Sequence, residues 1–435
     1  MTPARLRVPR TTLRLSVLAI ALLAFTGCAK KDGVTAPSVN PTPDAYTITR
    51  TLSDEAQRNT LAFDGLAFLT GDLGGQSFLP PGKVADYCGF QYLRDNDPTQ
   101  MGHNTDFVTI IAFNVLHILD STQVQHLVRS AESDVTPINA FAYARFPLLK
   151  AFRRECTGDR PAGSTGLDSA AIVATTAELY RLDGRIAYSR ARAMGQVLTS
   201  LTPTQRAAFA ALKAAHGVGN WNRTLTDPLQ PLHLPHDVNV TVMTYASEMY
   251  AWWAGSVDAD VYFCPERHAT YFGSFYLKDW PAMGNPNYTI DEQLTATAGQ
   301  AFLNALPAPQ SAYVSALVDV QRSALYAMVE RRRDIATLLR GFQSGTAVDS
   351  LAVITLSGRY GELDGAMGYS YATRFSNVGR ALTTPQWAAV DSLADRLGYV
   401  AAAGAFLYSA PIAMPTIADT DPLFTIPVTP ATRPR

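Results

Sequence analysis

The chain has 435 residues, with 36 Lys and Arg against 37 Asp and Glu and a net charge of −1. That balance leaves no basic stripe for nucleic acid and no solvating acidic tail, and a hydrophobic share of 47% is that of a globular protein. The length suits two domains or one large duplicated one.

The N-terminus reads as an export signal. Arg5, Arg7, Arg10 and Arg14 precede an apolar run from Leu15 to Phe25, and Thr26-Gly27-Cys28 follows. The run is about 11 residues, and a membrane-spanning helix needs ~20, so the segment targets the chain rather than spanning a bilayer. Residues 29–46 are rich in Lys, Pro, Ser, Thr and Asn, with little to bury, and read as a flexible tether.

Phe25-Thr26-Gly27-Cys28 resembles the bacterial lipobox, although Phe25 stands where that motif usually has Leu. The resemblance implies cleavage before Cys28 and lipid on its thiol, so that residues 1–27 are signal peptide and 28–46 anchor and tether. Ala29, rather than Asp, follows the cysteine. By the same resemblance this implies the outer membrane or cell surface, with the folded body in the periplasm or outside. Three further cysteines, Cys88, Cys156 and Cys264, then form an odd set in an oxidising compartment. Their pairing stays open.

The rest of the chain repeats itself. Residues 166–217 match 347–398 at a constant offset of 181 (168 to 349, 183 to 364), and 17 of the 52 paired residues are identical. Leu182-Asp183-Gly184 pairs with Leu363-Asp364-Gly365, and Tyr188-Ser189 with Tyr369-Ser370. Upstream the offset becomes 187, pairing Arg145 with Arg332 and Arg153 with Arg340. Further upstream it is 184, pairing Tyr87-x-Gly89-x-x-Tyr92-Leu93-Arg94-Asp95 with Tyr271-x-Gly273-x-x-Tyr276-Leu277-Lys278-Asp279. The expectation is a mainly α protein: a tandem duplication of a helical-bundle unit over 47–247 and 248–412, with a Pro/Thr-rich tail over 413–435.

Helical spacing of apolar residues marks 106–118, 137–154, 168–200 and 311–340. The stretches 71–105 and 254–291 hold Gly, Pro and Asn among Tyr and Phe, as irregular inserts would. The stretch 217–241 reads as a long loop without a counterpart in the second copy.

Leu201-Thr202-Pro203-Thr204-Gln205 and Leu382-Thr383-Thr384-Pro385-Gln386 open helices. Thr at the cap and Gln three residues on make a capping box, and Pro203 suits the first helical position. Asp120-x-x-Gln123 is a variant, whereas Pro307 in Leu306-Pro-Ala-Pro-Gln310 cannot cap with a side chain. These LTxxQ signals resemble those of the Spy/CpxP-like periplasmic family, which implies a helical envelope-stress or metal-sensing role.

Three residue sets carry candidate chemistry. Tyr92, Arg94 and Asp95, with Tyr276, Lys278 and Asp279, place a phenol, a cation and a carboxylate in each copy, as a polar ligand pocket or an ion-paired Gly turn would. Cys264 and His268, four apart, could share a transition metal on a helix, although Pro265 disturbs its start. His233 and His236 are three apart, between Pro231 and Pro235, and could also bind Zn or Cu. No G-x-S-x-G, P-loop, Rossmann glycine pattern, HExxH or CxxCH is present.

No cofactor is predicted beyond a possible transition metal, and an enzyme is the less favoured reading. The sequence points to a membrane-anchored envelope lipoprotein whose two helical halves bind a small molecule or a protein partner. The alternatives are a metal-binding or envelope-stress protein and an enzyme with its site between the halves.

Overall fold

Two helices of equal length form the centre of the molecule. The computed structural model describes residues 52–70, 106–215, 220–255, 257, 293–396, 405–408, 410–412 and 415–425. In chain order the helices are α1 (Asp54–Thr70), α2 (Asp106–Leu116), α3 (Ser121–Ala144), α4 (Phe146–Thr157), α5 (Ser169–Ser200), α6 (Pro203–Ala214), α7 (His236–Ala254), α8 (Gln293–Ala305), α9 (Ala308–Ser315), α10 (Leu317–Arg340), α11 (Ser350–Ala381) and α12 (Thr384–Arg396). The fold is predominantly helical. A short antiparallel hairpin, β1 (Ala405–Leu407) and β2 (Ala410–Ile412), follows.

The central pair are α5 and α11, 32 residues each. Each starts at an aspartate cap: the Asp168 carboxylate accepts from the Ala171 N–H at 3.0 Å, and Asp349 from Leu351 and Ala352. The two helices run antiparallel and touch through glycines. A Cβ on Gly184 would lie 2.4 Å from Ser357 Oγ, and one on Gly361 would lie 2.7 Å from Tyr180 Cβ. A Cβ on Gly365 would lie 3.1 Å from Thr176 Oγ1. Gly184 and Gly365 are 181 apart in sequence, and so are Thr176 and Ser357. The contact therefore joins positions 181 apart in both directions, the reciprocity of an isologous interface. Tyr180 and Gly361, also 181 apart, mark its midpoint.

On one side α2, α3 and α7 pack together and against α5; on the other, α1, α8, α9 and α10 pack together and against α11. The buried apolar core is continuous through both sets, from Leu127, Ile138, Met194 and Met249 to Phe63, Leu66, Phe302 and Phe375. The placement of α1 and α7 crosses the order of the chain. Helix α1 precedes the first set in sequence, yet its principal contacts are with α8–α12. A Cβ on Gly299 of α8 would lie 2.4 Å from the Asn59 carbonyl oxygen, and one on Gly65 would lie 2.8 Å from Phe375. Helix α7 precedes the second set and packs on α2, α3 and α5. It also runs through the expected repeat boundary at 247/248, and it turns the end of the expected 217–241 loop into helix.

The capping boxes form at α3 and α6, and their glutamines meet. Gln123 Oε1 accepts from the Asp120 N–H, and Gln205 Oε1 from the Thr202 N–H, both at 2.9 Å. The two side-chain amides then donate to each other, at 2.7 Å and 3.3 Å. Thus one pair of caps ties the start of α3 to the start of α6. In the other set Gln386 still accepts from the Thr383 N–H at 2.8 Å, but Pro307 makes no side-chain cap.

The C-terminal segment returns to the first set. Tyr408 is buried and donates to Asn139 Oδ1 at 2.8 Å. Asp168 N–H donates to the Leu423 carbonyl at 2.9 Å, and Thr425 N–H to the Gly166 carbonyl at 2.9 Å. Arg154 pairs with Asp421 at 2.7 Å and lies over the Phe424 ring. The turn Thr420-Asp421-Pro422-Leu423 repeats the letters of Thr226-Asp227-Pro228-Leu229, whose Thr226 carbonyl meets His117 at 3.0 Å. Among the described residues no helix is long and apolar enough to cross a membrane.

Candidate functional site

Helical periodicity makes α5, α7 and α11 apolar toward the centre, and charged residues interrupt that face. Asp183 and Arg190 lie seven apart on α5, two turns along one side. Asp364 and Tyr371 hold the same spacing on α11. All four are at most 1% exposed. Removing an ion from water costs several kcal/mol unless partners replace the hydration, so such residues need an organised polar surrounding.

Around α5 that surrounding is a charged nest. Arg190 Nη1 lies 3.3 Å from Glu248 Oε2 of α7, with both side chains almost wholly shielded. One turn earlier on α7, the Tyr245 hydroxyl donates to Asp134 Oδ2 of α3 at 2.8 Å. Burial raises the Asp134 carboxyl above the usual carboxylate range, and hydrogen bonds from Tyr245 and Ser189 with the charge of Arg190 oppose this. Burial also pushes the Tyr245 phenol well up, and the facing Asp134 adds to it. The nest thus holds a neutral phenol against a carboxylate, beside a dry arginine–glutamate pair.

Around α11 the corresponding nest is built from amides and carboxylates. Tyr371 donates to Gln321 Oε1 of α10. Gln321 Nε2 donates in turn to Gln57 Oε1 of α1 at 3.0 Å. Burial raises the Tyr371 phenol, and Asp64 and Asp364 facing it raise it further. Arg332 donates to the Tyr360 hydroxyl at 3.4 Å and lies 5.6 Å from its ring centroid. The Tyr360 ring meets Tyr180 of α5 edge-on at 5.1 Å.

The two nests occupy like positions with unlike residues. Asp134 corresponds to Gln321 at the offset of 187, Arg190 to Tyr371 at 181, and Glu248 to Asp64 at 184. A tyrosine hydroxyl donates to position 134 or 321 in both. It comes from α7 in one nest and from α11 in the other. One nest thus holds an arginine–glutamate pair beside a Tyr–Asp hydrogen bond, and the other a Tyr–Gln–Gln chain facing Asp64 and Asp364, with Arg332 on Tyr360.

Most of the candidate residues read from the sequence are not among the described ones. Cys28, Tyr92, Arg94, Asp95, Cys264, His268, Tyr276, Lys278 and Asp279 lie outside the described residues, as does Cys88. His233 closes a 3-10 turn in the left-handed region, at φ 47, and is exposed. His236 opens α7, with Nε2 3.1 Å from the Tyr408 carbonyl oxygen. Among the described residues no group of three or more His, Cys, Asp or Glu is placed to hold a metal ion. Cys156 is a free thiol whose ionisation burial pushes up. Sequence reading missed Arg190, Glu248 and Asp134. The available signal was a charge recurring on the apolar face of a helix, seven residues from the aspartate of the LDG match. No family model matches the chain, and neither a curated protein nor a solved structure matches it significantly.

Proposed function

We propose that the chain is an exported, lipid-anchored binding protein of the cell envelope, formed by duplication of one helical unit, and that the paired buried nests hold its ligand. The observation that carries the reading is the burial of Arg190, Glu248, Asp134, Asp183, Asp64 and Asp364 within an otherwise apolar helical core. A bundle selected for stability alone would be no worse with hydrophobic residues there, because a buried ion pair often gives less than the apolar side chains it displaces. Departures from apolar patterning concentrate where a protein binds or reacts.

The export-signal pattern and Cys28 support a site of action at a membrane surface. The unlike nests support a ligand with two different polar ends, or two related ligands. The small-residue contact between α5 and α11 keeps the nests at a fixed separation.

The test is native mass spectrometry of the soluble body, residues 47–435, purified from an envelope fraction. A retained small molecule that is lost in both Arg190→Met and Asp64→Asn, with helicity unchanged, is the expected result. A body that carries no added mass from several growth conditions, and whose melting temperature no envelope metabolite moves, would overturn the reading.

A further inference from the structure

We infer that the start of α3, the end of α5 and α6 form a basic face that lies against the phosphates of an anionic lipid surface, with Arg129 and Arg192 at its centre. The register of α3 on α5 brings the two arginines together. Gln123 of α3 donates to Ser200 of α5 at 3.0 Å, and further along Ser189 hydrogen-bonds Asp134. The helices thus run antiparallel, and Arg129 and Arg192 flank the same stretch of the groove between them. Both are exposed. His126 sits beside both. Burial holds its ring below the usual histidine range, the charge of Arg129 lowers it further, a hydrogen bond from Gln196 opposes this, and Arg192 adds a smaller lowering. Arg206 of α6 joins the same end by donating to the Leu198 carbonyl at 2.8 Å.

Counter-charge is missing from this end. Among the described residues neither Arg129 nor Arg192 belongs to an ion pair. Residues 121–131, 184–200 and the whole of α6 contain no Asp or Glu. Like charges side by side repel, so the arrangement costs stability unless an anion lies against it. The second set shows that the helices pack without it. At the offsets of 187 and 181, Arg129 corresponds to Ala316, Arg192 to Thr373, Arg206 to Trp387 and His126 to Tyr313. The amide contact is kept, since Asn377 donates to the Tyr313 hydroxyl at 3.4 Å where Gln196 meets His126. The cation at that end, Arg374, lies 4.7 Å from the Tyr313 ring centroid, and α12 carries Asp391 and Asp395 where α6 has Ala210 and Ala214. Positive charge is thus gathered at one end of a chain whose net charge is −1. Such a field orients the molecule toward a negative surface. Exposed cations spread over the sides of three helices suit a plane of phosphates better than one enclosed ion, and each arginine near an anionic bilayer is worth about fivefold in affinity.

Vesicle flotation at low salt tests this on residues 29–435, which hold every described element but neither the export-signal pattern nor Cys28. A negative result therefore leaves the lipid-anchor reading standing. Equimolar phosphatidylglycerol–phosphatidylcholine vesicles should bind the chain about tenfold or more tightly than phosphatidylcholine alone, and the difference should shrink as salt shortens the Debye length. Arg129→Gln with Arg192→Gln should cut that affinity by about tenfold or more. Arg359→Gln with Arg396→Gln removes the same charge from exposed positions of the second set and should change it by less than about twofold. Thermal melts of both double variants should match the parent, because all four side chains are on the surface. Equal binding to the two kinds of vesicle, or an equal loss in the two double variants, would overturn the inference. A melting temperature raised by inorganic phosphate only when Arg129 and Arg192 are present, without flotation on anionic vesicles, would assign the face to a free anion and overturn it as well.

Discussion

Arg340 donates to the main-chain carbonyl of Trp252 at 3.1 Å while its guanidinium lies 5.9 Å from the centroid of the Trp252 ring. Arg153 stands in the same relation to Phe68. One side chain thus satisfies an orphan carbonyl of a last helical turn and covers the aromatic residue beside it. A hydrogen bond from a charged donor contributes about 1.5–3 kcal/mol, and a half-shielded cation–π contact about 1 kcal/mol. Arg340→Met and Arg153→Met should therefore each lower unfolding stability by about 2–3 kcal/mol, read from urea midpoints. If one costs nothing and the other the full amount, the two contacts are not equivalent fastenings.

Arg190 and Glu248 provide a second test, because their roles can be separated. Removing one member of a buried pair leaves the other charge without its main counter-ion and costs about 3–5 kcal/mol. Replacing both with apolar residues of similar volume removes that penalty. Arg190→Met alone should be strongly destabilising, and Arg190→Met with Glu248→Met should recover most of the loss. A double variant as unstable as the sum of the two single ones would show that the side chains are not coupled.

The helical class was the most legible feature of the chain, and the letters matched at the offset of 181 mark its central helices for a physical reason. Caps and glycines leave fixed letters: Asp168 and Asp349 open the central helices, and Gly184 and Gly365 let them touch. Helix positions followed from apolar spacing, although Pro137 sits inside α3 rather than ending it. What sequence could not supply was the crossing of α1 and α7. The offset of 184 pairs the two helices, and nothing local tells a helix which set of neighbours it will join. The nests were hidden for a related reason. Asp134 and Gln321 or Arg190 and Tyr371 share no letters, so a search for identities passes over them; the offsets pair them, and burial shows that each pair lies in the core.

Asp134 gives a pH-dependent prediction. Its folded-state ionisation is shifted upward from 3.8, chiefly by burial. A raised native pKa means that the folded chain holds this proton more tightly than the unfolded chain. The stability it contributes is therefore complete below about 3.8 and is lost as pH rises through the native value. Asp134→Asn keeps an oxygen that can accept from Tyr245, as Gln321 does for Tyr371. The variant should gain on the parent chain as pH rises from about 4 to about 7, measured as the difference between their thermal melts. A difference that is flat with pH would mean that Asp134 does not change its protonation on unfolding.

Cys28→Ser separates anchoring from folding. If lipid on Cys28 holds the chain to the membrane, the mature parent protein should partition into detergent and carry a mass increase at its N-terminal residue, while the serine variant should do neither. The body should be indifferent to the change. The first described helix begins at Asp54, well beyond the substituted residue, and the sequence between, rich in Pro, Ser, Thr and Asn, has few apolar residues. The urea midpoint of the variant should match that of the parent within about 0.5 kcal/mol, the usual range for substitutions remote from the folded core. A serine variant that still sediments with membranes after a high-salt wash would remove the lipid anchor from the account and leave the helical body to find the membrane by another surface.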